Sequence, residues 1–186
     1  MSVKEVIYER RAHRSLEHIE ITPEIINSLA ESAQLSPSCF NNQPWRYIFV
    51  TDPLVLKDMF SALSTGNEWA KAASMIIVVF SKKENDCLIK GREYYLFDTG
   101  MATAFIILRA TEMGLVAHPI AGYSPKKTRE ILGIPEEMNV ITLVIVGKHS
   151  SEMNPLMSEN QKEVEKKRPD RLAIDKIVYM NIYPDD

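Results

Sequence analysis

Ser36 to Trp45 read SPSCFNNQPW, and the interpretation of the whole chain starts from this stretch. Prolines hold both of its ends, and its serine, asparagine and glutamine side chains offer hydrogen-bond donors and acceptors beside Trp45. Such a loop suits a flat ring with polar edges. The same residues are typical of a turn in which Asn and Ser side chains satisfy the backbone and the tryptophan belongs to the core. Taken alone, the stretch favours the turn.

Helix start signals lie on both sides of this loop. Ser2 and Glu5 form a capping-box pattern, and Thr22-Pro23 places an N-cap before a proline in the first turn. The longest helical stretch covers 91–113, and Gly114 is suited to end it. Shorter helices are predicted to begin at Asp52-Pro53 and at Ser124-Pro125, the latter ending near Gly133.

Three apolar runs, 45–50, 75–80 and 140–146, predict strands. The run Met75 to Phe80 reads MIIVVF and shows no alternation of apolar and polar residues. Because a half-buried strand alternates, this run predicts a strand that is buried on both faces.

The end of the chain changes character twice. Residues 148–171 are polar and have no strong periodicity, whereas 172–183 are apolar and β-branched again. A linker of this length is unusual inside a compact domain. The polar stretch is either a floppy loop or an extended arm that carries a last strand onto a second subunit. The arm is favoured, because the final segment is too hydrophobic for a free tail.

Length and composition limit the class of protein. A chain of 186 residues favours one domain, and a net charge of -3 provides no basic field for nucleic acid or an anionic membrane. The two cysteines form no CxxC motif and have no metal-like spacing, which argues against a disulfide scaffold and fits a reducing compartment. The first residues lack the apolar region of a signal peptide, and 75–80 is too short to span a bilayer. We therefore expect a cytoplasmic protein.

Several common enzyme classes lack their motifs. No two glycines lie two positions apart, so the dinucleotide fingerprint is missing, and the Walker loop, GxSxG and HExxH are missing as well. Residues 10–14, RRAHR, carry three arginines in five positions. They are either a solvated basic turn at a helix C-terminus or a site for an anion such as phosphate, which the arginine fork binds well.

Three further features have ordinary structural explanations. Cys39 needs a paired base to be a nucleophile, and nothing in the sequence places one beside it. His118 is more often a structural histidine than a catalyst. The run KKRPDR at 166–171 is normally a solvated charge run.

Taken together and in order, these segments resemble the nitroreductase family of FMN-dependent oxidoreductases. RRAHRSL at 10–16 resembles the RRSxRxF of that family, and SPSCFNNQPW is similar to its most specific signature, PSxxNxQPW. The long helix, GLVAHPIAGY from Gly114, ILGIP from Ile131 and RLAIDKIV from Arg171 follow in the family's order. The resemblance covers nearly the whole chain.

The resemblance implies an α+β fold with a central mixed sheet flanked by helices. It implies a homodimer that exchanges its C-terminal strand, so that 148–171 is the arm and 172–183 the strand on the partner. Two FMN sites would lie at the dimer interface, with NADH or NADPH as electron donor. A nitroaromatic, a quinone or free flavin would then accept the electrons in a ping-pong reaction.

The resemblance also implies roles for residues. Arginines of both chain ends would hold the FMN phosphate, the loop at 37–41 would line the flavin from the neighbouring subunit, and residues 119–122 would pass along the isoalloxazine near N5. Asn67 and Lys71 would meet its pyrimidine edge and ribityl chain. The implied cofactor-binding set is Arg10, Arg11, Ala12, Arg14, Pro37, Ser38, Cys39, Asn41, Asn67, Lys71, Pro119, Ile120, Ala121, Gly122, Arg168 and Arg171.

The chain departs from the family pattern at two of these positions. Ala12 stands where serine is usual, which removes a phosphate contact, and Ala121 stands where many close relatives have glutamate. We expect neither a metal ion nor an essential acid–base side chain, because the flavin carries the chemistry. Two alternatives stay open: a specialised branch with dehalogenase-like or flavin-degrading activity, and a flavin-binding protein without turnover.

Overall fold

The apolar run at 75–80 forms the central strand of the fold. In the computed structural model, which describes residues 1–184, it is β3 (Met75–Ser81), and Met75 to Val79 are fully buried. It lies between β2 (Arg46–Val50) and β7 (Asn139–His149). β7 also pairs with β6 (Val116–Ile120) and with the short β1 (Leu16–Glu17). The prediction that this strand is buried on both faces is confirmed.

All pairings of this five-stranded sheet are antiparallel among the described residues. The predicted mixed sheet is therefore wrong for the strands that one chain supplies. A parallel member could come only from a segment outside these five strands. The predicted α+β class is confirmed, since helices flank the sheet.

The helices begin where the sequence signals place them. Ser2 and Glu5 form the capping box of the first helix, and the side chains of Thr22, Asp52 and Ser124 each accept a backbone N–H at an N-terminus. Gly133 ends the fifth helix in the left-handed conformation that glycine adopts readily. The helices are α1 (Val3–Glu9), α2 (Pro23–Gln34), α3 (Pro53–Phe60), α4 (Tyr95–Glu112), α5 (Pro125–Leu132) and α6 (Glu159–Lys166).

The long helix begins later than predicted. Residues 88–93 form a hairpin of β4 (Leu88–Ile89) and β5 (Arg92–Glu93) instead of the first turn of α4. Lys90 and Gly91 both have positive φ, which suits a two-residue hairpin turn and cannot continue a helix.

Each face of the sheet carries its own apolar core. On one face Ile77 and Val79 pack with Leu29 of α2 and Ile106 of α4. On the other, Ile76 and Val78 pack with residues from α3 and with Trp69, which is fully buried. Successive side chains of β3 point to opposite faces, and this explains why an uninterrupted apolar run is needed here.

The C-terminal region differs from the predicted extended arm. β7 continues to His149, and Ser158 with Gln161 forms a capping box that begins α6 inside the polar stretch. The apolar periodicity of α6 is weak because its buried contact is a carboxylate, Glu165. Residues 172–183 contain a short 3-10 turn (Ile174–Lys176) and no strand within the chain, and their side chains are exposed.

Within residues 1–184, no helix is both long enough and apolar enough to cross a membrane.

Candidate functional site

The arginines of the two ends of the chain line a common cavity. The loop after α1 and the loop after α6 enclose a space of about 200 Å³. Val164 and Pro169 complete its lining, and none of the described residues lining it is acidic. The predicted phosphate residues around this cavity are Arg10, Arg11, Ala12, Arg14, Arg168 and Arg171.

Two of these arginines hold the two segments together. Arg11 Nη2 donates to the backbone oxygens of Val164 and Glu165 at 3.1 and 2.8 Å, near the C-terminus of α6. Those carbonyls have no partner within the helix, and the helix dipole favours a cation there. Arg168 Nη2 donates to the carbonyl oxygens of Tyr8 and, at 3.0 Å, Arg10. These bonds close the cavity by joining residues far apart in sequence.

Arg14 has bonding capacity left for a ligand. Its Nε is buried and makes no hydrogen bond within the described part of the chain. Its guanidinium lies 5.7 Å from the ring centre of Trp69, within range of a cation–π contact. Burial lowers the pKa of Arg14, although Glu165 opposes this change. A buried donor without a partner is costly, so an acceptor bound at this position would be stabilising.

Arg10 experiences the charge of the other arginines. Burial lowers its pKa, and the charges of Arg168 and Arg171 lower it further. Like charges gathered without a shared anion repel one another, whereas a phosphate offers several acceptor oxygens to several guanidinium forks. The donor set, the unpartnered Arg14 Nε and the mutual repulsion all fit a phosphate group.

Glu165 organises the backbone beneath this cavity. Its carboxylate accepts the N–H groups of Arg14 and Ser15 at 2.9 and 3.0 Å, and its Oε1 lies 3.2 Å from His13 Nδ1. Burial by itself would raise the pKa of Glu165, but the hydrogen bonds from His13 and the two N–H groups lower it to about 2. The carboxylate therefore stays charged and fixes the path of 13–15.

His118 is a structural residue. It stacks on Trp69 with ring centres 4.7 Å apart, and its Nδ1–H donates to the backbone oxygen of His13 at 3.1 Å. Burial lowers its pKa to about 4, which keeps the ring neutral. The interpretation of His118 as structural agrees with these contacts, and the stack links β6 to the arginine loop.

Asn67 and Gly122 lie in direct contact. Asn67 Nδ2 donates to Gly122 O at 2.9 Å, and Asn67 Oδ1 accepts from Trp69 Nε1 at 3.2 Å. Ser64 N–H also donates to Gly122 O, at 3.0 Å. Both ends of the Asn67 amide thus form hydrogen bonds within the chain, and these bonds fix the backbone at the end of β6.

The other residues of this edge lie apart. Pro119 and Ala121 are exposed and Ile120 is buried. Lys71 is exposed and lines a separate cavity of about 370 Å³ with Asn154 and neighbouring residues of the 150–156 segment. The structure thus places Lys71 beside the 150–156 segment.

The loop at 37–41 lies against α4 and the hairpin, away from the arginine cavity. Cys39 N–H donates to Asp98 Oδ2 of α4 at 2.7 Å, and Ser38 Oγ accepts from Gln43 N–H at 2.9 Å. Pro37 and Asn41 are exposed, and Trp45 is buried in the core. Within one chain, the Ser38 side chain therefore satisfies a backbone N–H of the turn, as serine often does in turns.

The two cysteines form a disulfide bond, Cys39–Cys87. The cysteine spacing predicted no disulfide scaffold, and this bond was not expected. The two cysteines are 48 positions apart, and no cysteine motif links them, so only the tertiary fold shows that they are neighbours.

Sequence reasoning missed two residues that shape the site. Glu165 lies just before the basic run and was not singled out, although the Ser158–Gln161 capping box identifies a helix that would carry it. Trp69 links Arg14, Asn67 and His118, and nothing in its local sequence distinguishes it from an ordinary core tryptophan.

Comparison with known proteins identifies the family. The model of the nitroreductase family matches residues 7–72 and 61–148. The chain belongs to the nitroreductase family. It is 32% identical over 146 residues to a protein of Archaeoglobus fulgidus provisionally named as an NADH dehydrogenase/NAD(P)H nitroreductase, covering 76% of this chain and 82% of that protein.

Solved structures of the family share the fold. A nitroreductase family protein from Clostridium novyi NT is 28% identical, with a TM-score of 0.76 over 81% of this chain and 87% of that one. A provisionally named nitroreductase from Exiguobacterium sibiricum, solved in complex with FMN, has a TM-score of 0.81 over 97% and 98% of the two chains at 18% identity. The second likeness concerns the fold alone.

Proposed function

We propose that this protein is a homodimeric, FMN-dependent oxidoreductase that takes electrons from NADH or NADPH and passes them to a nitroaromatic, quinone or flavin acceptor. One observation carries the proposal: five arginines from the two ends of the chain line a single cavity, and Nε of one of them, Arg14, is buried without a partner among residues 1–184. FMN would supply hydride acceptance from the donor and electron transfer to the acceptor, which would bind in turn in a ping-pong reaction.

The arginines divide into two groups in this proposal. Arg11 and Arg168 bind backbone oxygens and hold the cavity in shape. Arg10, Arg14 and Arg171 would bind the phosphate oxygens of FMN. Arg171 Nη1 donates to Pro169 O at 3.1 Å, and its side chain makes no other hydrogen bond within the described part of the chain. Ala12 would leave the phosphate without the hydroxyl that serine supplies.

The end of β6 would lie along the edge of the flavin. Asn67 packs against Gly122 and holds the backbone of this edge in place. Pro119, Ile120 and Ala121 would continue the edge toward N5. A small Ala121 leaves this edge more open than a glutamate would. Lys71 would bring a positive charge toward the pyrimidine side, where negative charge gathers on reduction.

The second subunit would complete the site. The loop of Pro37, Ser38, Cys39 and Asn41 lies apart from the arginine cavity of its own chain, and in the proposed dimer it would face the flavin of the partner. The C-terminal segment supports such a dimer, since Ile174, Met180 and Ile182 are 74%, 79% and 78% exposed. Apolar side chains this exposed indicate a surface that another chain covers.

The first test is spectroscopic. The purified protein, or protein reconstituted with FMN, should be yellow, should bleach with NADH or NADPH without air, and should regain colour with a quinone or a nitroaromatic. Steady NADH consumption with a quinone separates an enzyme from a flavin-binding protein without turnover. Release of halide from halogenated aromatics, or loss of the flavin under air, would identify the specialised branch instead. A protein that takes up no FMN would overturn the proposal.

The phosphate assignment has a separate test that does not depend on turnover. Arg14→Lys should weaken FMN binding about 10- to 100-fold, because charge-assisted hydrogen bonds to the phosphate contribute about 1.5–3 kcal/mol. Riboflavin has no phosphate, so its affinity should be the same in both proteins. Arg129→Lys on α5 is the matched control. Equal losses for FMN and riboflavin would show that Arg14 supports the fold and does not bind phosphate.

A further inference from the structure

The disulfide bond joins the 36–45 loop, which the proposed dimer would turn toward the partner's flavin, to a segment that has no part in the proposed flavin chemistry. Cys39 begins the 3-10 turn Cys39–Asn41 in the 36–45 loop, and Cys87 lies directly before the β4–β5 hairpin. Cys39 is half-buried, whereas Cys87 is 9% exposed. An external thiolate can therefore approach Cys39 Sγ more easily, which would make Cys87 the leaving sulfur.

Polar groups gather around the leaving sulfur. Asn42 Nδ2 lies 3.4 Å from Cys87 Sγ and donates toward it. A carboxylate oxygen of Asp86 and the two sulfur atoms all lie within 4.8 Å of one another. Asp86 Oδ1 accepts Cys87 N–H at 2.8 Å, but Asp86 Oδ2 is buried and has no partner within the described part of the chain.

A second carboxyl group lies beside the first. Asp98 is 2% exposed and accepts Cys39 N–H. Burial raises the pKa of Asp98, the hydrogen bond from Cys39 opposes that rise, and the neighbouring Asp86 adds to it. Asp98 therefore keeps its proton to a higher pH than an exposed aspartate does, next to the sulfurs.

We propose that Cys39–Cys87 is a thiol–disulfide exchange site that reacts with small thiols or dithiols, with the Asp86–Asp98 carboxyl pair as its proton donor. The thiolate of the reductant attacks Cys39 Sγ, the Cys39–Cys87 bond breaks, and the Cys87 thiolate takes a proton from the carboxyl pair. A second thiol attacks the mixed disulfide and releases the Cys39 thiol. One protein disulfide and two thiols thus give two protein thiols and one disulfide of the reductant, and solvent returns the proton to the carboxyl pair.

The exchange would alter the 36–45 loop. Phe40, Asn41 and Gln43 have φ values of 48°, 58° and 49°, in the left-handed region that side chains disfavour. The disulfide, the Asp98 bond to Cys39 N–H and the Ser38 bond to Gln43 N–H hold this conformation. Reduction removes the disulfide bond and leaves only the two hydrogen bonds. In limited proteolysis, the loop of the reduced protein should therefore be cleaved faster than the loop of the oxidised protein.

The test counts thiols in the native protein. The chain has only two cysteines, so every thiol belongs to this pair. Protein oxidised by glutathione disulfide should show no thiol, the same protein after dithiothreitol should show both, and renewed oxidation should remove them. If dithiothreitol releases thiols only in urea, the bond is a closed structural link and the proposal fails. The proposal also fails if both thiols persist with glutathione disulfide.

Single variants test the direction of attack. Cys87→Ser leaves Cys39, which should react with glutathione disulfide to give a mixed disulfide and one released glutathione at least about tenfold faster than the Cys87 thiol left by Cys39→Ser. Circular dichroism establishes that both variants are folded. A faster reaction of the Cys87 thiol would overturn the assigned direction.

The carboxyl pair is tested by Asp86→Asn, with exposed Asp58→Asn as control. Loss of the proton donor should slow reduction by dithiothreitol at least about tenfold. Simple electrostatics predicts the opposite sign, because removing a negative charge beside the sulfurs favours an incoming thiolate. Faster reduction of Asp86→Asn would therefore overturn the proton-donor role.

Discussion

Asn67 closes over Gly122 so tightly that a Cβ at position 122 would lie 2.2 Å from Asn67 Nδ2. The same nitrogen donates to Gly122 O at 2.9 Å, and the other end of the amide accepts from Trp69 Nε1. Gly122 is therefore required for space and not for an unusual backbone conformation. The contact connects the end of β6 with the buried tryptophan that supports Arg14.

Gly122→Ala should destabilise the protein by about 1–3 kcal/mol, because the methyl group displaces the amide of Asn67 and breaks its hydrogen bonds. Urea unfolding followed by circular dichroism measures the loss. Gly100→Ala is the matched control, since nothing lies within 4 Å of a Cβ there and the position is inside α4. That change should be neutral or stabilising. Equal stability of the Gly122 variant and the parent would contradict the contact.

Glu165 should make the protein sensitive to strong acid. Its pKa is lowered from 4.5 to about 2, so the folded state binds a proton less readily than the unfolded state. Glu165 therefore contributes about 3 kcal/mol to the free energy of unfolding. This contribution is fully present above the pKa of the unfolded state and is lost as the pH falls through the pKa of the folded state. Urea unfolding at a series of pH values measures it. Glu165→Gln should flatten this part of the profile, whereas exposed Glu163→Gln on the same helix should leave it unchanged.

His118 should act in a higher pH range than Glu165 does. Burial lowers its pKa from 6.5 to about 4, so the unfolded state takes up a proton before the folded state does. The free energy of unfolding should therefore be highest above the pKa of His118 in the unfolded state. It should fall by about 3 kcal/mol as the pH drops to the pKa of His118 in the folded state. His118→Phe keeps an aromatic ring against Trp69 and should remove this slope. If the slope survives in His118→Phe and disappears in the control His18→Phe, the assignment is wrong.

The C-terminal segment should determine the oligomeric state. Replacing Met180 and Ile182 together by Asp places charge on side chains that the proposed dimer buries, and a buried unpaired charge is strongly unfavourable. Light scattering after gel filtration should show a shift from dimer to monomer, with weaker FMN binding. Leu54→Asp is the control, because Leu54 is 75% exposed on α3. A double variant that stays dimeric would show that this segment does not hold the subunits together.

Local signals predicted the helices well and the sheet in part. Caps at Ser2, Thr22, Asp52 and Ser124 are short-range interactions, so their sequence patterns locate the helix starts directly. The start of α4 was misplaced because residues 88–93 pair with each other across a turn. Helix α6 was missed because its buried group is the polar Glu165, which apolar periodicity does not detect.

The sequence by itself determined the family, the buried central strand and the set of arginines, because each depends on residue types in a fixed order along the chain. Only the tertiary structure decided which of those arginines bind backbone oxygens and which have capacity for a phosphate. It alone paired Cys39 with Cys87, placed Glu165 under 13–15 and set Asn67 against Gly122. These relationships join residues 48 to about 150 positions apart, and contacts at such separations depend on how the sheet and helices pack and not on local sequence.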